Sequence, residues 1–407
     1  MPVERRCEQC GQVIPWGEQE CPACGEKGGF LWSVPRNALL LLSFLVLIIL
    51  FSITAFLVKA YRAKEHELAQ RWLVAGEREL RAGRPEEALK DFRSALVYSR
   101  DESPVELQLA HALAAAGHLP EARAYLLGLW ERQPGNGTVN LELARLAAHS
   151  GSVPEAVQYY HDAIYGQWDD DLAEHRRRAR LELAEFLLGV GQKAQAQAEL
   201  IALTTELPRD AALETQVGAL LIKAGEYEHA GPLFRQAVRL LPNYAPALEG
   251  AGEASFELGN YRDARRYLAR ASRQSALSTH SQSLLETATL ILESDPLAPR
   301  LGAQERARRA LRAFAQGMER LSECAAAHGV SLEDEPAPSG LQNLHGRALA
   351  LQPKARERNL ARDPDLLLQV TDLVFEIEKV TEGACGEPQG VDLALLLLSR
   401  AQQGGNE

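Results

Sequence analysis

The sequence predicts an all-α protein in which a helical repeat array follows a single membrane-spanning helix and a small cysteine-rich segment. Three observations support this prediction. Helix-forming residues, mainly alanine, leucine, glutamate and arginine, crowd the region after residue 58, whereas aromatic residues make up only 6% of the 407-residue chain. Glycines recur in that region at intervals of 34 residues. Residues 38–58 contain no charged side chain.

The uncharged run at 38–58 has 21 residues. An α-helix of that length reaches about 31 Å, which matches the roughly 30 Å of hydrocarbon in a bilayer. Trp32 and Tyr61 flank the run, where interfacial aromatic residues are common in membrane proteins. A signal peptide would have a shorter apolar stretch close to the N-terminus, and a buried core helix needs no such unbroken run. The run therefore predicts one membrane span.

Four of the six cysteines form two Cys-x-x-Cys pairs, each followed by glycine. The two-residue gap lets both sulfurs of a pair face one ion, and the glycine can adopt a positive φ so that backbone amides approach the sulfurs. Two pairs complete a tetrahedral site without an open position, so the expected cofactor is a structural Zn²⁺ ion. A redox pair or two disulfides are the alternatives, which two pairs with matching glycines disfavour. The predicted ligands are Cys7, Cys10, Cys21 and Cys24.

This segment resembles the short zinc-ribbon domains that open many bacterial membrane proteins. Ribbons often bind nucleic acid, but residues 1–36 hold four basic and five acidic side chains. Nucleic-acid affinity comes largely from cations that meet phosphates, so the charge disfavours that role. Contact with protein or zinc-dependent regulation fits the composition better.

Six glycines set the register of the array: Gly83, Gly117, Gly151, Gly191, Gly225 and Gly259. An alanine follows five residues after each glycine. Nine residues after each glycine stands a large apolar residue: Phe92, Leu126, Tyr160, Leu200, Phe234 and Leu268.

The pattern resembles the tetratricopeptide repeat (TPR), a 34-residue antiparallel helix pair. The first unit places Trp72 and Gly76 where the family has its tryptophan and its small residue. The resemblance implies a TPR-like helical solenoid of about six repeats over residues 69–276. We expect each register glycine to end the first helix of its unit in the left-handed conformation, and the large residue to fill the gap to the next pair.

Solenoids of this kind bind peptides or partner helices in a concave face lined by first-helix side chains. The Lys and Asn clamp that grips the C-terminal carboxylates of heat-shock chaperones is absent, so chaperone-tail binding is not predicted. The register places these candidate partner-binding residues on the concave face: Arg81, His111, Arg145, His149, Lys223, Glu253 and Glu257.

A six-residue surplus between the third and fourth units surrounds Asp169, Asp170, Asp171 and His175. Three acids beside a histidine can hold a cation. Opposite charges in the same stretch favour the other interpretation, a solvated loop whose charges pair locally.

After residue 276 the register lapses but helical periodicity continues, which predicts a C-terminal helical region that caps the last repeat. The proline, serine and glycine content of residues 331–340 predicts a flexible loop. Cys324 and Cys385 are either buried small hydrophobes or, outside the cytoplasm, a disulfide. Helices are expected near residues 341–352, 364–380 and 391–403.

The predicted domains are a zinc ribbon (1–30), a short linker (31–37), the transmembrane helix (38–58), a juxtamembrane helix (59–68), the repeat array (69–276) and the C-terminal helical region (277–407).

No HExxH, GxxxxGK[ST] or GxSxG motif occurs, so neither an enzyme nor a small-molecule substrate is expected. The net charge of -11 and the lack of a basic stripe with interleaved aromatics disfavour nucleic-acid binding. We therefore predict a bacterial membrane-anchored scaffold or adaptor whose array binds partner proteins or peptides. The alternatives are a zinc- or thiol-responsive sensor that signals through the array, and an envelope enzyme with an unrecognised site.

Two arguments about orientation in the membrane conflict. By the positive-inside rule, the excess of basic residues after the span places the array in the cytoplasm. A thiolate zinc site, however, survives best in the reducing cytosol, and a domain folded around metal is awkward to translocate. We expect the ribbon in the cytoplasm and the repeats in the periplasm, on either side of the inner membrane. The basic residues are Lys27 and Arg36 before the span, and Lys59, Arg62, Lys64 and Arg71 after it.

Overall fold

The computed structural model describes residues 5–15, 17–27, 36–99, 103–332 and 340–404. In these ranges the chain forms eighteen helices and one two-stranded sheet. The chain divides into two compact units, Met1–Ala156 and Val157–Glu407. Trp32, most of the predicted linker at 31–37 and most of the predicted loop at 331–340 lie outside the described residues.

The first unit contains the sheet and the first hairpins. Its strands pair antiparallel, with Arg5 opposite Ile14 and Arg6 opposite Val13. The elements are β1 Arg5–Arg6, β2 Val13–Ile14, α1 Arg36–Arg81, α2 Pro85–Tyr98, α3 Ser103–Ala115, α4 Leu119–Arg132, α5 Gly137–His149 and α6 Val153–Ile164, which ends in the second unit.

The second unit contains further hairpins and the C-terminal helices. Its elements are α7 Leu172–Gly189, α8 Lys193–Thr204, α9 Ala211–Ala224, α10 Tyr227–Leu240, α11 Ala245–Glu257, α12 Tyr261–Ala271, α13 Thr279–Ser294, α14 Ala303–Ala327, α15 Leu341–Leu351, α16 Glu357–Leu360, α17 Pro364–Cys385 and α18 Gly390–Gly404.

α1 is a single helix of 46 residues that includes the uncharged run, the predicted juxtamembrane stretch and the first helix of the first hairpin. Its apolar side chains are exposed, for example 77% at Phe51 and 72% at Phe56. The hydroxyl of Ser52 donates to the carbonyl of Ile48 at 2.7 Å, so this polar group is satisfied within the helix. Among the described residues, Ala38–Arg81 is the helix long and apolar enough to cross a membrane, and an 18-residue window of it has a mean hydropathy of 2.9.

The register glycines end the first helix of each hairpin, as predicted. All six have left-handed backbones, with φ from 70° at Gly83 to 87° at Gly225. This conformation lets the next residue turn back onto the helix end: the N–H of Glu226 donates to the carbonyl of Leu221 at 2.8 Å. A side chain at these positions would strain the turn, which is why glycine marks each one.

The large residue of each unit closes the space between helices. The ring of Phe234 in α10 is 1% exposed and lies against two glycines on different first helices. A Cβ atom on Gly218 of α9 would lie 2.8 Å from this ring, and one on Gly250 of α11 would lie 2.2 Å from it. Gly76 has the same relation to Phe92, at 2.6 Å. The predicted role of the large residue, which is to fill the gap to the next hairpin, is therefore confirmed at Phe234, whereas its contact with a glycine of its own first helix was not predicted.

The C-terminal helices form their own apolar core against the last hairpin. Phe256 and Tyr261 of that hairpin pack on this core, as expected of a cap. Three of the helices, α15, α17 and α18, match the predicted segments closely, although α17 continues to Cys385. The structure joins Cys324 of α14 to Cys385 of α17 in a disulfide, with the Cα atoms 5.7 Å apart.

Replacing Gly250 with alanine is expected to lower the free energy of unfolding by about 1–3 kcal/mol, because the buried ring of Phe234 cannot make room for the new methyl group. The urea midpoint of the full-length protein in detergent, followed by circular dichroism, measures this. Gly346→Ala is the control, since no atom lies within 4 Å of a Cβ at this exposed position in α15. Its midpoint should stay unchanged or rise. Equal midpoints for the two variants would contradict the packing described above.

Candidate functional site

The four-cysteine cluster is built by two matching turns. In the first, the N–H of Gly11 donates to the carbonyl of Cys7 at 2.8 Å, and in the second, the N–H of Gly25 donates to Cys21 at the same distance. Both glycines have left-handed backbones, with φ of 71° and 70°. The β1–β2 pair holds the first turn. Two cysteines of the cluster, Cys7 and Cys21, form a small buried core with Ile14.

The four sulfurs lie close enough to share one ion. All four Sγ atoms are within 4.8 Å of one another, and the Cys7–Cys24 and Cys10–Cys21 pairs are each 3.5 Å apart. Tetrahedral zinc with bonds of about 2.3 Å requires sulfurs about 3.8 Å apart, so the spacing fits a metal. The cluster can therefore bind a metal ion.

A second candidate site is a groove between α9, α11 and α13. It has a volume of about 400 Å³, with Phe234 and Gly250 among the residues that line it. Thr215 and Lys223 line the α9 side. The remaining polar lining comes from α11 and the start of α13: Glu249, Glu253, Ser278 and Ser281.

The α11 side of this groove is acidic. Glu249, Glu253 and Glu257 are spaced by four residues, so they follow one face of α11. Burial and the neighbouring charge of Glu253 raise the pKa of Glu257. Among the described lining residues, Lys223 is the only lysine or arginine. The groove therefore has a negative wall that favours a cationic ligand.

Serine and histidine from α13 hold two of these carboxylates. The hydroxyl of Ser281, which is 3% exposed, donates to Oε2 of Glu249 at 2.9 Å. His280 Nε2 lies 3.4 Å from Oε1 of Glu253. These contacts hold the carboxylates at the groove wall. Ligand binding therefore costs less side-chain entropy than it would with mobile carboxylates.

The structure brings together part of the predicted partner-binding set. Lys223 and Glu253 line the groove, and Glu257 lies one turn further along α11. The other four predicted residues lie on first helices of the first unit: Arg81 in α1, His111 in α3, and Arg145 and His149 in α5. Two of them have partners within their own helices, since Arg81 pairs with Glu77 at 3.5 Å and Arg145 with Glu142 at 2.6 Å.

Sequence reasoning missed Glu249, His280 and Ser281. Glu249 has a detectable signal, because it lies four residues before Glu253 on the same helix. The other two residues belong to the start of α13, which follows the point where the repeat register lapses. α13 follows the last hairpin in the position of a further first helix, and this position is the signal for His280 and Ser281.

Two members of the acidic triplet make local contacts, as the solvated-loop interpretation predicted. Oδ1 of Asp170 lies 3.0 Å from Nε2 of His175, whose ring stacks on Trp168 with centroids 4.3 Å apart. Asp171 caps α7 by accepting the N–H of Glu174. Asp170, Asp171 and His175 thus have structural roles, and the described residues place no metal-binding cluster there.

One other described group of potential metal ligands comprises Cys324, His328 and Cys385. Its two sulfurs are joined in the disulfide, and Nε2 of His328 lies 2.9 Å from the carbonyl of Ala384. These contacts give the group a structural role between α14 and α17.

Comparison with known proteins finds similarity over part of the repeated hairpins. The tetratricopeptide repeat family model matches residues 79–135 and 221–286. A curated relative, DnaJ homolog subfamily C member 3 from Gallus gallus, is 29% identical over 143 residues. The match covers 33% of this chain and spans 27% of the relative's length.

Several solved structures are similar to part of the chain. Pseudomonas aeruginosa pilF is 18% identical with a TM-score of 0.41, and the match covers 54% of this chain and 97% of that one. PilW, a type IV pilus biogenesis factor, is 17% identical with a TM-score of 0.40, covering 53% and 98%. YrrB, a TPR protein with an unusual peptide-binding site, is 17% identical with a TM-score of 0.38, covering 47% and 95%.

Full-length protein purified in detergent is expected to carry about one zinc ion per chain, because four thiolates form a complete tetrahedral shell. Mass spectrometry of bound metal measures the content. Cys10→Ser or Cys24→Ser should reduce it at least tenfold, whereas the control Cys324→Ser/Cys385→Ser should retain it. Metal that persists in the ribbon variants, or wild-type protein without metal, would refute this expectation.

Proposed function

We propose, from the premise that these hairpins are tetratricopeptide repeats, that the protein is a non-enzymatic scaffold anchored in the bacterial cytoplasmic membrane. Repeats of this family generally bind other proteins or peptides rather than transform substrates. In this proposal, α1 anchors the chain, the array binds a partner protein and the four-cysteine ribbon is a structural or interaction module.

The observation that carries the binding function is the groove between α9, α11 and α13. Its acidic wall is held by Ser281 and His280, and Ala219, Ile222 and Pro246 supply apolar surface. We propose that an extended partner segment lies in the groove and places a lysine or arginine against Glu249 and Glu253. Lys223 on the opposite side suits an acidic or carbonyl group of the same segment.

The membrane anchor is supported by the exposure of α1. The apolar window of this helix is 0% buried within the structure. An apolar surface of this size in water would be strongly unfavourable and would drive aggregation. A bilayer removes the penalty, and the helix satisfies its own backbone groups, as a span requires.

The orientation of the array is supported by the contrast between two sets of cysteines. Cys324 and Cys385 are paired in a disulfide, whereas the four ribbon cysteines are free thiols. Disulfides persist in oxidising compartments, and thiolate metal sites suit the reducing cytosol. We therefore propose a periplasmic array and a cytoplasmic ribbon that holds a structural zinc ion, even though the basic residues after the span favour the opposite orientation.

In the described part of the chain, no contact favours the zinc- or thiol-responsive sensor over the scaffold. The proposal therefore assigns the ribbon no signalling role. Nor does it include a nucleic-acid partner or a small-molecule substrate.

A fluorescein-labelled peptide of alternating lysine and alanine tests the groove on the full-length protein in detergent. We expect saturable binding by fluorescence anisotropy. Glu249→Lys/Glu253→Lys should raise Kd at least tenfold, because two attractive charges become repulsive. Glu286→Lys on the exposed part of α13 is the matched control and should change Kd less than threefold. Equal Kd values for both variants, or no binding by the wild type, would contradict the proposed groove.

A further inference from the structure

The last hairpin carries a concentrated positive charge that the repeat pattern does not explain. Five arginines occur within twelve residues, on α12 and just after it, in a protein whose net charge is -11. They line one groove together with a single carboxylate, that of Asp263. The arginines are Arg262, Arg265, Arg266, Arg270 and Arg273.

This arginine groove is a defined concave surface between α12 and α13. Its volume is about 730 Å³, and Ala269, Leu285 and Thr289 supply its uncharged lining. No lining residue is shared with the acidic groove between α9, α11 and α13. The two grooves therefore have opposite charge and separate walls.

Three of the five arginines make contacts within the protein. Arg266 pairs with Asp263 at 3.1 Å and lies over the ring of Tyr267. Arg270 donates to the carbonyl of Pro242 at 2.7 Å, and Arg273 donates through Nε to the carbonyl of Ala269. These bonds use only some of the five N–H donors of each guanidinium.

Arg262 and Arg265 are exposed, and within the described residues neither side chain has a hydrogen-bond or ion-pair partner. Arg262, Arg266 and Arg270 also follow one another at intervals of four residues, where like charges on a helix repel. Within the described residues, the fold gains no hydrogen bond or ion pair from Arg262 or Arg265. An anion bound in the groove would relieve the repulsion and use the free donors.

We propose that the arginine groove binds an acidic polypeptide segment of a partner protein. The arginine fork matches a carboxylate with two parallel hydrogen bonds, and the groove provides several forks in a row. The uncharged lining formed by Ala269, Leu285 and Thr289 suits the backbone and short side chains of an extended chain. A segment rich in glutamate or aspartate satisfies both features.

The groove suits a peptide better than a nucleic acid or a membrane surface. Its described lining contains no aromatic ring on which a base can stack. Its one large apolar side chain, Leu285, is half-buried, so no exposed apolar group is available to enter a bilayer. Because the site uses different residues from the acidic groove, the scaffold can hold two partner segments of opposite charge.

The test uses full-length protein in detergent and a fluorescein-labelled peptide of alternating glutamate and alanine. Fluorescence anisotropy at low salt should show saturable binding that weakens as salt increases. Arg262→Ala/Arg265→Ala should raise Kd at least tenfold. These two side chains make no described internal bond, so the fold should be retained. Arg262→Lys/Arg265→Lys, which keeps the charge but loses the forks, should raise Kd by a smaller factor.

The matched control is Arg358→Ala/Arg362→Ala, which removes two exposed arginines that do not line the arginine groove. It should change Kd less than threefold. Glu249→Lys/Glu253→Lys should leave this binding intact, which separates the arginine groove from the acidic groove. Equal Kd values for the test and control pairs would overturn the proposal. So would tighter arginine-dependent binding of a thymidine oligonucleotide or of phosphatidylglycerol vesicles than of the peptide.

Discussion

An apolar helix with no protein surface to cover it is the constraint on which the rest of this molecule depends. Residues 38–58 form a helix that is apolar on all sides, and its apolar side chains pack against no other part of the described structure. Water penalises such a surface in proportion to its area, whereas bilayer hydrocarbon does not. If this helix lies in a membrane, the ribbon and the array face opposite compartments, and their cysteine chemistry must suit each side.

The continuity of α1 adds a mechanical consequence. The helix passes from the uncharged run to Arg81 without a described break, so the first hairpin is built directly on the proposed anchor. No flexible linker separates them. The direction of the proposed span therefore constrains the direction of the first hairpin.

The grooves of the second unit arise from the packing of its helices. Glycines at positions such as 218 and 250 let Phe234 enter between first helices, which sets their spacing and leaves a groove lined by their polar side chains. Packing specifies where the grooves lie, whereas the polar residues around them set the charge of each groove. These residues are acidic on α11 and basic on α12. The proposed scaffold function needs this combination of a fixed frame and distinct surfaces.

Backbone requirements made much of the fold predictable from sequence. A helix that must end in a left-handed residue selects glycine, so Gly83 and Gly225 revealed the register. Features set by long-range contact were harder to predict. The disulfide joins residues 61 apart, and spacing alone could not establish it. The groove wall at Ser281 comes from a helix outside the register, and the arginine groove needs α13 as its second side.

Extraction of cell membranes with alkaline carbonate tests the central claim most directly. Full-length protein should remain in the membrane pellet and require detergent for release, while Leu47→Arg/Ile48→Arg, which places two charges in the apolar run, should shift it to the soluble fraction or abolish its accumulation. Wild-type protein in the supernatant without detergent would contradict the account.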